Sequence, residues 1–177
     1  MLPAQPVQFG VKGGVILTES TRYTHPESRN YTVGPTVEFR LPHRFGLETG
    51  FLYKRVGTGV EYSSGGSSYT LRSRGNSFEL PLVGKYYFRP PSRLTPYLGL
   101  GVAMRRTWQK TEQLTPNRFY YSSVSPYGAG AVGAAGIRIT QGRWKFAPEF
   151  RYTRWSIEAQ AVPRNPNQVE FLFGISF

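Results

Sequence analysis

The chain has 177 residues, room for one domain with a sizeable core. It contains no Cys, which excludes disulfides, thiolate metal sites and thiol nucleophiles, and its 14 Pro and 20 Gly leave little room for long helices. A mean hydropathy of −0.39 without a long apolar run excludes a transmembrane helix, though not a membrane barrel, whose alternating strands give a weaker signal.

No secretory leader is visible at Met1, and MLPAQP reads as a mature N-terminus preceded by an added Met. From there the chain alternates with period two, the mark of strands with one apolar face. Over 7–17, Val7, Phe9, Val11, Val15 and Leu17 oppose Gln8, Gly10, Lys12 and Gly14. A polar loop over 18–30 precedes a strand over 31–41, where Tyr31, Val33, Pro35, Val37, Phe39 and Leu41 oppose Thr32, Gly34, Thr36, Glu38 and Arg40. A short turn, Pro42-His43-Arg44, leads into 45–56, with Phe45, Leu47, Phe51 and Tyr53 against Gly46, Glu48, Gly50 and Lys54. A Gly/Ser-rich long loop is expected over 57–76.

The strand over 77–88 sets Phe78, Leu80, Leu82, Tyr86 and Phe88 against Glu79, Val83, Lys85 and Tyr87. Another short turn, 89–93, gives way to 94–106, with Leu98, Leu100, Val102 and Met104 opposite Tyr97, Gly99, Gly101, Ala103 and Arg105. A third long loop is expected over 107–125. The strand over 126–140 is rich in small residues (Ala129, Ala131, Ala135), and after the tight turn Gln141-Gly142-Arg143 comes 144–155, with Trp144, Phe146, Pro148, Phe150 and Tyr152 opposite Lys145, Glu149, Arg151 and Thr153. A last long loop, 156–166, leads to 167–177, where Val169, Phe171, Phe173, Ile175 and Phe177 alternate with polar or small residues to the final position. The pattern predicts an all-β fold: one domain over 1–177, an eight-stranded antiparallel up-and-down barrel with alternating long loops and short turns.

The charges follow the strand faces. The ten acids are all Glu. Glu19, Glu27, Glu61, Glu112 and Glu158 fall in expected loops, whereas Glu38, Glu48, Glu79, Glu149 and Glu170 fall on polar strand faces, joined by Lys12, Arg40, Lys54, Lys85, Arg105, Arg138, Lys145 and Arg151. With lipid outside, these thirteen side chains converge on a lumen only wide enough for side chains to fill it, so a packed ion-pair network is expected rather than an open pore. Arg55, Arg106 and Arg154 point outward by parity at the loop end, and Arg29 and Arg74 sit near the same rim. Their common height suits lipid headgroups, with lipopolysaccharide phosphates as candidate ligands and simple interfacial snorkelling as the bland alternative. Tyr31, Tyr53, Tyr127 and Tyr152 toward the loops, and Phe45, Phe88, Tyr97, Trp144 and Phe177 toward the turns, read as two aromatic belts.

Bases dispersed in this way do not form a nucleic-acid patch despite the net charge of +12. His25 and His43 lie at opposite ends of the barrel and cannot share a metal, so no metal, cofactor or catalytic group is assigned. His25 with Ser20 or Ser28 leaves open an enzyme acting on lipid A, and inverting the faces leaves open a soluble lipocalin-like carrier of a small apolar ligand.

The final strand ending in Phe resembles the C-terminal signal of bacterial outer-membrane barrels. The segments SFELPLVGKYYF, TPYLGLGVA and FAPEFRYTRW are similar to strands of the small OmpA/OmpX/opacity-protein type, and the likeness covers nearly the whole chain. It implies an integral, monomeric, non-enzymatic outer-membrane barrel surrounded by lipid and lipopolysaccharide. Its terminal strand, with Phe171, Phe173, Ile175 and Phe177, would be read by the barrel assembly machinery. Four polar loops would be free to hold an extracellular protein or glycan, with Phe119, Tyr120, Tyr121 and Tyr127 of the third loop the foremost contact candidates.

Overall fold

Strands that are apolar on one face and charged on the other can satisfy both only by closing on themselves. The computed structural model describes residues 7–18, 29–64, 67–89, 92–115, 118–124, 127–156 and 166–177. It contains ten strand segments: β1 (Val7–Ile16), β2 (Arg29–Arg40), β3 (Phe45–Gly50), β4 (Leu52–Ser64), β5 (Ser67–Tyr87), β6 (Leu94–Thr115), β7 (Arg118–Val124), β8 (Tyr127–Gln141), β9 (Trp144–Trp155) and β10 (Asn167–Ser176). β3 and β4 both pair with β2 and β5, and β7 and β8 both pair with β6. The ten segments therefore make eight antiparallel barrel strands. The seam closes between β1 and β10, from Gly10 opposite Ser176 to Ile16 opposite Glu170, and the Phe177 amide donates to the Phe9 carbonyl at 3.1 Å.

The break between β3 and β4 has a local cause. Phe51 faces Pro35 of β2; its amide donates to the Pro35 carbonyl at 3.0 Å, but proline has no N–H to return the bond. The β2 ladder stops at Thr36 opposite Gly50 and resumes at Val33 opposite Tyr53 without a change of register.

Burial shows which face is outside. Leu100 is 77% exposed and Met104 62%, whereas Glu149 is 1% and Glu170 0% exposed. A continuous apolar exterior around a charged interior is the reverse of a soluble carrier and matches immersion in hydrocarbon.

Two of the expected long loops are not loops. The described residues of 57–76 and of 107–125 are all strand. β5 has 21 residues and β6 has 22, about twice what a tilted strand needs to cross a bilayer. Beyond the membrane they remain paired, from Asn76 opposite Trp108 to Thr70 opposite Leu114, while β4 and β7 flank them. The barrel wall thus continues outward as a four-stranded sheet. Period-two alternation could not reveal it, because a strand above the bilayer has water on both faces. The expected loops over 18–30 and 156–166 lie largely outside the described residues, with His25, Ser20 and Ser28 among them.

Backbone approach at the seam is close enough to test. A Cβ added at Gly14 would lie 2.0 Å from the Phe171 carbonyl oxygen, whereas one added at Gly133 meets nothing within 4 Å. Gly14→Val is expected to prevent closure and abolish the heat-modifiable band on unboiled gels, and Gly133→Ala to fold as the parent does.

Candidate functional site

Side chains that share the lumen must neutralise one another, since each isolated buried charge would cost several kcal/mol. The turn-side half is organised by three carboxylates. Glu48 accepts from Lys12 at 2.5 Å, from Arg151 at 3.1 Å and from Lys85. Glu149 takes Lys12 at 3.1 Å, Arg151 Nε at 3.0 Å and the Tyr97 hydroxyl at 2.8 Å. Glu38 takes Arg138 Nη2 on both oxygens at 2.6 Å and the Tyr87 hydroxyl at 2.8 Å, with Arg40 Nε 3.3 Å away. Lys85 lies 3.6 Å from both Glu38 and Glu149, so its amine links all three. Higher up, Lys54 pairs with Glu79 at 2.5 Å and Glu170 at 2.9 Å, and the Thr32 hydroxyl donates to Glu170 at 2.7 Å.

Tyr97 therefore does not belong to the turn-side belt. It is 1% exposed and occupies the lumen because it shares parity with Gly99 and Arg105. The lumen also holds apolar side chains that charge-based reasoning passes over: Leu52, Val83 and Leu172 are fully buried, and Val83, Ala103, Val132 and Trp155 pack as one cluster. The Trp155 indole donates to Gln168 at 3.1 Å, and the Arg105 guanidinium stacks 4.1 Å from its ring. Parity would have found Trp155 and Leu172, since both fall on the charged face of their strands.

Outside, the loop-end rim carries Arg55, Arg74, Arg106 and Arg154, all exposed. Arg106 lies 4.7 Å from both the Trp108 and Tyr127 rings, which makes Tyr127 part of this belt rather than of a loop. The rings continue around the wall, with Phe78 5.5 Å from Trp108 and 4.9 Å from Phe51. Arg29 starts β2 opposite Arg55. Phe119, Tyr120 and Tyr121 lie in β7, opposite Leu114, Gln113 and Glu112, not in an irregular loop; their side chains lie outside what the structure describes. Toward the turns, Phe45 packs on Tyr86 at 5.2 Å and Trp144 on Phe177 at 6.2 Å. Among the described residues no group of three or more His, Cys, Asp or Glu could hold a metal ion.

A closed eight-stranded barrel with a lipid-facing apolar wall, aromatic belts and an ion-paired lumen is an integral outer-membrane β-barrel. Residues 3–157 match the family described as outer membrane protein beta-barrel domain, and the chain belongs to it. No curated protein matches it in sequence. Among solved structures it is similar to a major outer membrane protein of Thermus thermophilus (TM-score 0.58, 12% identity, 98% of this chain and 99% of that one). It also resembles Neisserial surface protein A (TM-score 0.53, 14% identity, 96% and 94%) and Ail of Yersinia pestis (0.52, 12%, 96% and 94%). At these identities the likeness is one of fold.

The network makes a directional prediction. Glu149→Leu removes a partner from Lys12, Arg151 and Tyr97 together and leaves buried cations underpaired. Unfolding in urea from lipid vesicles should show a loss of about 3–5 kcal/mol. The milder Thr32→Val, which removes one hydroxyl donor from Glu170, should cost about 1–3 kcal/mol.

Proposed function

We propose that the chain is a non-enzymatic surface-interaction barrel that is seated in lipopolysaccharide by its basic rim and offers its projecting sheet to an anionic extracellular glycan. The observation that carries this reading is the extension of β4 to β7 beyond the membrane as one paired sheet. A paired sheet is ordered before it meets a ligand, so less ordering entropy opposes binding than in a loop. Its charge supports an anionic partner: Arg74 lies opposite Lys110 and Arg72 opposite Glu112, so bases exceed acids on these rows. The Ail barrel has been crystallised with the heparin analogue sucrose octasulfate, and a sulfated glycan is the first ligand class to try here. The lumen carboxylates each engage buried cations, which leaves them to structure rather than acid–base chemistry.

Refolded protein in uncharged detergent should bind immobilised heparin with strong salt dependence, and Arg74→Gln/Lys110→Gln should weaken binding about tenfold. Unchanged retention by the double variant would remove the glycan reading. For the rim, Arg55→Gln/Arg106→Gln/Arg154→Gln should lose most of the rise in unfolding temperature that lipopolysaccharide gives the parent over plain phospholipid. An equal rise in both proteins would reduce the rim to nonspecific snorkelling.

A further inference from the structure

Among the described residues the lumen side chains do not balance: Lys12, Arg40, Lys54, Lys85, Arg105, Arg138, Lys145 and Arg151 accompany Glu38, Glu48, Glu79, Glu149 and Glu170, eight cations to five carboxylates. Two of these cations stand at the turn-side mouth: Arg40 and Lys145 share this layer with Arg138, and among the described side chains the carboxylate that faces all three is Glu38. The guanidinium groups of Arg40 and Arg138 both lie against the Tyr87 ring, at 4.6 and 4.2 Å from its centroid. Arg138 is 4% exposed, and Glu38 and Tyr87 use only its Nη2; its buried Nη1 has no acceptor. Arg40 Nε, with its side chain 22% exposed, also makes no hydrogen bond of good geometry. Lys145 finds no carboxylate within ion-pair distance among the described residues. Around this mouth the turns add Arg44, Arg89, Arg93 and Arg143, all exposed, and residues 41–44, 88–93 and 141–143 contain no acid.

A buried guanidinium edge without an acceptor is an expensive arrangement, and three cations around one carboxylate repel each other across a low-dielectric mouth. Both costs disappear if an oxyanion enters: guanidinium edges match its oxygens, and the Lys145 amine adds a point charge. We propose that the turn-side mouth of the lumen is a phosphate-type oxyanion site formed by Arg40, Arg138 and Lys145. The occupant is either free phosphate or the phosphate of a lipid headgroup in the adjoining leaflet, which present the same oxygens. This site lies at the opposite end of the barrel from the glycan-facing sheet and is independent of that reading.

The test uses the full chain refolded in uncharged maltoside detergent, titrated with sodium phosphate at constant ionic strength and followed by phosphorus NMR line width. A second arm compares unfolding temperatures in nanodiscs of phosphatidylcholine with and without phosphatidylglycerol. The parent is expected to bind phosphate saturably, Arg40→Gln/Lys145→Gln about tenfold more weakly, and Gly133→Ala, which lies in neither basic cluster, as the parent does. A phosphatidylglycerol effect that the double variant lacks, without phosphate binding, assigns the site to headgroups. No response of the parent in either arm, or equal responses from parent and double variant, overturns the proposal. Should the double variant fail to show a heat-modifiable band, Lys145→Gln alone serves, with a loss of about threefold expected and none overturning it.

Discussion

Hydrocarbon offers no hydrogen bonds, so every amide of a lipid-crossing strand must find its partner in another strand. That constraint accounts for the closure of β1 on β10 and for the continuous run of neighbour pairings around the wall. It also dictates the faces. Once the wall is closed, the side of each strand that meets lipid must be apolar, and the polar remainder is enclosed in a space too narrow for bulk water. The ion pairs are a consequence of that enclosure: Glu48 and Glu149 are shut in with Lys12, Lys85 and Arg151, and opposite charges meet there.

Within the lumen, geometry decides which charges meet. Glu149 and Glu170 lie on adjacent strands yet belong to different clusters, one with Lys12 and the other with Lys54. Barrel tilt brings residues far apart in sequence to one level, as with Arg138 and Glu38, and strand order alone does not display such pairs. Apolar side chains fill the gaps between clusters, so the interior is a layered packing of charge and hydrocarbon, not a uniform electrolyte.

The membrane-crossing part of the fold was legible in the sequence because lipid and lumen impose opposite demands on successive residues. Phe9 and Lys12, or Phe150 and Glu149, lie on the sides that parity assigns them. Tyr97 was misread because an aromatic near a turn suits either an interface or a lumen hydrogen bond; only its neighbours Gly99 and Arg105 show which. The projecting sheet was illegible for the opposite reason. Ser, Thr, Gly and Arg are ordinary in loops, and in water nothing forces 57–76 or 107–125 to alternate. The charge excess of the lumen could be counted from the sequence, but its concentration at one mouth could not.

The long strands β5 and β6 run without interruption from the turns through the wall into the outer sheet. A force applied to that sheet along the strand axes falls on the ladder in shear, shared among many rungs at once. Peeling, which breaks rungs singly, would require a sideways pull. A surface hairpin that is merely tethered would swing and yield under the same force; this sheet is fastened over the full height of the barrel, so its resistance to such a force is that of the wall itself.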